Sequence, residues 1–133
     1  MKEEYKDLFV SEDFDRKILV DAIKKYIKLT KEGKIVPTED FDKLSLARKM
    51  LCILLARKIL VDEEIEKDEK IHITELASNV GSKRPTIEGQ IYGILKNIVS
   101  SKEGKTWVPS YNIQKAKKFL EAKNKKEEFK AGE

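Results

Sequence analysis

The sequence predicts a mainly α-helical fold that carries one short two-stranded hairpin. Apolar residues recur at helical spacing along most of the chain, and the stretch 46–60 is apolar nearly all the way round. Near the C-terminal end, Gly104 separates two short segments that are typical of strands. A chain of 133 residues can bury a core of its own, so we expect a single domain over 1–133.

A first helix is predicted over residues 11–33. Ser11 can begin it, because its hydroxyl can accept a free backbone N–H of the first turn, and Gly33 is a favourable stop. The apolar stripe of this helix consists of Phe14, Ile18, Ala22, Ile23, Tyr26 and Ile27.

A second helix is predicted over residues 45–61 and is expected at the centre of the core. Apolar side chains cover nearly its whole circumference, so other elements must cover it on several sides. Cys52, the one cysteine of the chain, lies within it and is expected to be a small buried hydrophobe. The charge-dense stretch 62–70 that follows is expected to be a solvated connection or a frayed helix end.

The segment 71–99 predicts a short strand, a helix, a tight turn and a second helix. Ile71 and Ile73 alternate with a polar residue, Gly81 tolerates positive φ, and Ser82 can cap the second helix. The apolar face predicted for that second helix consists of Ile87, Ile91, Ile94, Leu95 and Ile98.

The C-terminal part predicts a hairpin and a last helix. Two short strands over 98–109 flank a turn at 102–104, and Pro109 ends the hairpin. The last helix is predicted over 110–124.

The arrangement of 71–109 resembles the winged helix-turn-helix superfamily of DNA-binding proteins. The matching residues are Leu76-Ala77, Val80-Gly81 and Arg84-Pro85-Thr86. The order of elements over the whole chain is similar to the MarR-like branch of that superfamily. The resemblance implies a winged helix-turn-helix with a short two-stranded wing and extra N- and C-terminal helices. It also implies that the second helix enters a DNA major groove and that the terminal helices build a homodimer.

The charge distribution favours an anionic partner for the second half of the chain. Residues 1–81 contain 16 lysines and arginines against 18 aspartates and glutamates, which gives −2, whereas residues 82–133 contain 12 against 6, which gives +6. Double-stranded DNA is one such partner. The alternative is a solvated lysine-rich tail. The 39% of charged residues also resembles the composition of thermophile proteins.

Candidate DNA-binding residues lie on the outward face of the second helix and at the tip of the hairpin. They are Ser82, Lys83, Arg84, Thr86, Gln90, Tyr92, Lys96, Lys102 and Lys105. Gly89 and Gly93 lie four residues apart on the same face and leave a shallow groove, which another protein's helix could also fill. The sequence therefore predicts a DNA-binding transcriptional regulator that acts as a homodimer, with a winged-helix protein–protein interaction module in a larger assembly as the alternative. Candidate dimer residues are Phe14, Ile18 and Leu120.

Catalytic, metal and membrane functions are not expected. His72 is the only histidine, and the sequence contains neither a glycine-rich phosphate loop nor a cysteine–histidine cluster, so we expect no enzyme, no metal and no cofactor. No apolar run is as long as a bilayer span and no signal-peptide pattern is present. With a single cysteine, a cytoplasmic protein is expected.

Overall fold

The computed structural model describes residues 2–8 and 15–122, and within them helices combine with two small antiparallel sheets. The elements in chain order are α1 (Arg16–Ile23), β1 (Ile27–Leu29), β2 (Ile35–Pro37), α2 (Glu39–Asp42), α3 (Leu46–Asp62), β3 (Ile71–His72), α4 (Ile73–Val80), α5 (Arg84–Tyr92), β4 (Ser100–Lys102), β5 (Lys105–Trp107) and α6 (Ile113–Glu121). Two short 3-10 helices are also present, at Glu3–Leu8 and at Ser110–Asn112.

The helix α3 is the centre of the core, which confirms the helix predicted over 45–61. Its N-terminus is capped by Ser45, whose hydroxyl accepts the backbone N–H of Arg48 at 3.4 Å. Leu51 and Leu55 are fully buried. The helices α1, α4 and α6 all pack against α3, so each side of it meets another element.

The first helix is shorter than predicted: α1 ends at Ile23, and residues 24–33, which the sequence assigned to it, are not helical. Asp15 caps α1 by accepting the backbone N–H groups of Lys17 and Ile18. The chain then forms the N-terminal hairpin, β1 and β2, whose turn is closed by Gly33 at φ +96°. Of the residues assigned to this helix, 11–14, which include Ser11 and Phe14, lie outside the described residues.

The helices α4 and α5 follow β3 as the sequence predicts, with Gly81 at φ +69° between them. The second helix is shorter than predicted: α5 ends at Tyr92, and the chain continues in turns. Its N-cap position is Lys83 rather than Ser82. As a result Ile94, which the sequence assigned to the apolar face, is 42% exposed.

The strand β3 and the C-terminal hairpin, β4 and β5, form one sheet in the order β3-β5-β4. Ile71 pairs with Thr106, and Ser101 pairs with Thr106 from the other side. The hairpin turn is Glu103-Gly104, and both residues have positive φ. The hairpin predicted over 98–109 is therefore present, with its strands at 100–102 and 105–107.

The last helix, α6, packs on α1 as well as on α3. The sequence predicted a helix over 110–124. Its first turn, Ser110–Asn112, is 3-10 rather than α, and residues 123–124 lie outside the described residues. Buried Arg48 binds the end of α6, because its guanidinium donates to the carbonyl oxygens of Phe119 and Ala122, at 3.1 Å each. No helix in the described part of the chain is both long and apolar enough to cross a bilayer.

Candidate nucleic-acid interface

The helix α5 and the residues directly beside it in the chain carry seven of the nine candidate DNA-binding side chains predicted from the sequence. Those that are exposed on or beside α5 are Lys83, Arg84, Thr86, Tyr92 and Lys96. Ser82 and Gln90 are only half-exposed. The buried side of α5 is anchored by Ile87 and Ile91, which fixes the direction in which the exposed side chains point.

Arg84 joins three elements at the start of α5. Its Nε donates to the Glu88 carboxylate at 3.2 Å, and its Nη1 donates to the Thr74 hydroxyl of α4 at 3.3 Å. Its Nη2 lies beside the hairpin turn, since a Cβ built on Gly104 would be 3.7 Å from it. The same turn is bound to α4, because the Gly104 carbonyl accepts the backbone N–H of Ile73 at 2.9 Å. The start of α5 and the hairpin turn therefore form one surface.

The hairpin contributes two lysines to this surface. Lys102 and Lys105 are paired across the strands β4 and β5, so their side chains leave the same face of the hairpin. Lys102 is exposed. Lys105 is half-buried, and its Nζ lies 3.8 Å from the Asp68 carboxylate.

The stretch after α3 is mostly exposed, as expected for a solvated connection, but some of its side chains contact the core helix and the C-terminal hairpin. We call residues 63–70 the acidic loop. Its Glu69 carboxylate lies 2.8 Å from the ammonium of Lys58, a lysine that is only 2% exposed. Its Lys70 ammonium lies 4.6 Å from the ring centroid of Trp107 in β5. These contacts tie the loop to the core helix and to the hairpin, and sequence spacing gives no sign of them because the partners are distant in the chain.

Of the two glycines proposed to form a groove on α5, only Gly89 faces open space. A Cβ at Gly93 would lie 2.7 Å from the carbonyl oxygen of Gly89. The backbone at the end of α5 therefore requires Gly93, and a binding partner is not needed to explain that residue. A Cβ at Gly89 would meet nothing within 4 Å.

The single cysteine lies apart from this surface and is expected to be unreactive. Cys52 is fully buried in α3, and burial raises the pKa of its thiol from an ordinary value of about 9 to about 12. A thiol that stays protonated is a poor nucleophile. Among residues 2–8 and 15–122, no group of three or more histidine, cysteine or carboxylate side chains could hold a metal ion.

Comparison of the chain with models of protein families, with curated proteins and with solved structures finds no significant match. The side chains of the surface described above therefore carry the functional inference.

Proposed function

We propose that this protein binds double-stranded DNA as a winged helix-turn-helix transcriptional regulator, with α5 as the recognition helix and β4–β5 as the wing. The observation that carries the proposal is the position of Arg84, which connects the start of α5 to the wing turn. Lys83 at the start of α5 and Lys102 in β4 are both exposed, so each of the two elements offers a cation to a partner. The sheet order β3-β5-β4 supports the proposal, because it attaches the wing to the strand that precedes α4.

Contacts with the phosphate backbone are expected to dominate this binding. The Arg84 guanidinium is already held by Glu88 and Thr74, so it is better placed to bind a phosphate than to make a bidentate contact with a guanine. The other side chains at the centre of the α5 face are small, Pro85, Thr86 and Gly89. Small side chains offer few contacts to base edges, so we expect the surface to discriminate weakly between sequences.

Fluorescence anisotropy with a random-sequence duplex tests the proposal. Each lysine or arginine that neutralises a phosphate releases a condensed cation, so affinity must fall between about 50 and about 200 mM salt. Replacing Lys102 and Lys105 by Ala together should weaken binding and reduce the salt slope by about 1–2 units.

The matched control uses the other hairpin. Lys31 and Lys34 are exposed lysines at the turn of the N-terminal hairpin, so the double variant Lys31→Ala/Lys34→Ala removes the same charge from a different place. It should bind DNA with the salt slope of the unmodified protein. Equal losses in the two double variants would mean that net charge alone, and not the wing, drives binding.

A second candidate function, docking of a partner protein in a larger assembly, is favoured by apolar groups at the end of α5. Tyr92 is 65% exposed and Ile94 is 42% exposed, close to the open backbone at Gly89. Large exposed aromatic side chains are enriched where proteins meet. No duplex binding at low salt would favour this candidate over DNA binding.

The homodimer stays a prediction. Of its candidate residues, Leu120 is 3% exposed within the core, and Ile18 is partly buried against the core. Phe14 lies outside the described residues. Val20, which is 47% exposed on α1, is an apolar side chain that a second copy could still contact.

A further inference from the structure

We propose that the exposed face of the sheet β3-β5-β4 extends the DNA-binding surface and contacts the phosphate backbone of the duplex. The inference rests on the proposed function, since it adds a further part to the same surface. The pairing register of the strands places His72, Lys105 and Lys102 directly opposite one another. Directly paired residues leave a sheet on the same side, so these three side chains form a row across it. We call them the basic row.

The basic row lies on the solvent side of the sheet. Ile71 and Thr106, which belong to the next row, are 1% and 0% exposed. His72 and Lys102 are exposed, and Lys105 is half-buried. Because successive residues of a strand point to opposite faces, the core covers one face of the sheet and the basic row belongs to the other.

Lys70 and Trp107 lie on the same face. Trp107 follows Lys105 by two residues in β5, so both side chains leave the strand on one side. The Lys70 ammonium lies 4.6 Å from the centroid of the Trp107 ring, which places this third lysine on the face as well. The three lysines exceed the two nearby carboxylates, those of Asp68 and of Glu103 in the hairpin turn. A surface with an excess of cations complements the phosphates of a duplex.

The carboxylate of Asp68 already places an anion beside the basic row. One of its oxygens lies 3.8 Å from the Lys105 ammonium, and the other accepts the backbone N–H of Lys70 at 3.0 Å. The side chains of Lys105 and Asp68 are 36% and 53% exposed, so water screens this ion pair and the pair contributes little to stability. A phosphate can therefore take the place of the carboxylate beside Lys105.

The acidic loop keeps Asp68 in a position where it opposes that exchange. The next residue, Glu69, lies 2.8 Å from the ammonium of buried Lys58, and Lys70 contacts the Trp107 ring. Asp68 precedes these two anchored residues directly, so its charge stays close to any phosphate that Lys105 binds. Asp68 should therefore lower the affinity for DNA, and removing its charge should raise it.

Anisotropy titrations at low salt with the random-sequence duplex test the role of Asp68. Asp68→Asn keeps the side-chain shape and an acceptor for the Lys70 N–H, so it should tighten binding about threefold through the lost charge alone. Glu63→Gln removes the same charge from an exposed residue at the start of the acidic loop and should have a clearly smaller effect. Equal gains in the two variants would assign the change to net charge and overturn the inference.

A charge introduced into the basic row tests the face itself. His72→Glu adds a negative charge at an exposed position of β3 and should weaken binding about fivefold. Val36→Glu adds the same charge at an exposed position of the other sheet, in β2, and should leave the affinity nearly unchanged. Equal losses in the two variants would contradict a contact between the row and DNA. Asp68→Asn supplies a separate test if His72→Glu does not fold.

Trp107 provides a direct optical signal from this face, because it is the only tryptophan of the chain. A phosphate that binds Lys70 changes the surroundings of the ring, so the emission should change with the same midpoint as the anisotropy. Unchanged emission, or unchanged affinity in both Asp68→Asn and His72→Glu, would overturn this inference while duplex binding by α5 and the hairpin turn still stands. Failure of the unmodified protein to bind the duplex would overturn the proposed function itself, and this inference with it.

Discussion

At the scale of single residues, the buried thiol of Cys52 makes the free energy of unfolding depend on pH in the alkaline range. Burial raises the pKa of the thiol to about 12, whereas the ordinary value is about 9. Below about pH 9 the thiol is protonated in both states, and it contributes no pH dependence. Between these two pKa values the unfolded chain loses the proton while the folded chain keeps it. The free energy of unfolding therefore falls by about 1.4 kcal/mol for each pH unit.

The variant Cys52→Ala should remove this part of the pH dependence. Urea unfolding at about pH 7 and about pH 10.5 should show that the unmodified protein loses about 2 kcal/mol more than the variant across that interval. Burial also raises the pKa of Tyr26, and the neighbouring Cys52 adds to that rise, so the difference between the two proteins includes this coupling to Tyr26. Equal losses would show that the thiol ionises normally in the folded state.

Glu103, in the turn between β4 and β5, has a left-handed backbone conformation that glutamate rarely adopts. Its φ is +52°, a region that asparagine adopts more readily than glutamate. The variant Glu103→Asn should stabilise the protein by roughly 0.5–1 kcal/mol, measured as a rise in the urea midpoint. It also removes a negative charge next to Lys102, so the proposed DNA affinity should rise. Glu103→Ala is the control: it removes the same charge, but alanine gains nothing at positive φ, so only the affinity should change.

At the scale of elements, α3 organises the packing of the other helices. Leu55 is fully buried among them. Leu55→Ala should lower the free energy of unfolding by about 2–5 kcal/mol, because the change removes apolar contacts and leaves a cavity. Val36→Ala, on an exposed position of β2, should change it by less than about 0.5 kcal/mol. A loss of that small size at Leu55 would mean that α3 is not the centre of the core.

The elements that the sequence predicts well are those with a strong local signal. The helix α3 has a capping serine and an apolar surface over four turns, and the C-terminal hairpin has a turn glycine between short strands. The N-terminal hairpin was missed because Ile23 and Ile27 lie four residues apart, a spacing that fits a helix, while a strand of three residues is too short to show a period of two. Pairings such as Lys58 with Glu69 depend on the folded backbone and leave no sequence pattern.

The candidate interface also contains some features that the sequence predicts and others that it does not. The exposed positions of Lys83 and Tyr92 follow from the helical period once the buried isoleucines of α5 are known. The hydrogen bond from Arg84 to Thr74 and the position of Arg84 beside the turn of the C-terminal hairpin could not be predicted. Both depend on how the sheet β3-β5-β4 places that hairpin next to α4. Arg84 therefore links α5 to α4 through its hydrogen bond to Thr74 and lies beside the turn of the C-terminal hairpin.

At the scale of the whole molecule, the helices α1 and α6 pack on each other and stabilise the fold of a single chain. Leu120 of α6 packs into the same core as Leu19 of α1. Leu120→Ala should therefore lower the free energy of unfolding by about 2–5 kcal/mol. It should leave the sedimentation coefficient of the folded protein at tens of micromolar unchanged. A change of association state without a loss of stability would instead place Leu120 at an interface between copies.

The contact between α1 and α6 has a consequence for the order in which the chain can fold as it is synthesised. During translation α1 leaves the ribosome first, and its buried residues Leu19, Ala22 and Ile23 lack one of their partners until α6 follows. A nascent chain that ends at residue 112 contains α3 and the sheet. The carbonyl oxygens of Phe119 and Ala122, to which Arg48 donates in the complete fold, have not yet been synthesised. A nascent chain stalled before residue 113 should therefore be readily cleaved by proteases in α1, and one that has released residue 122 should resist.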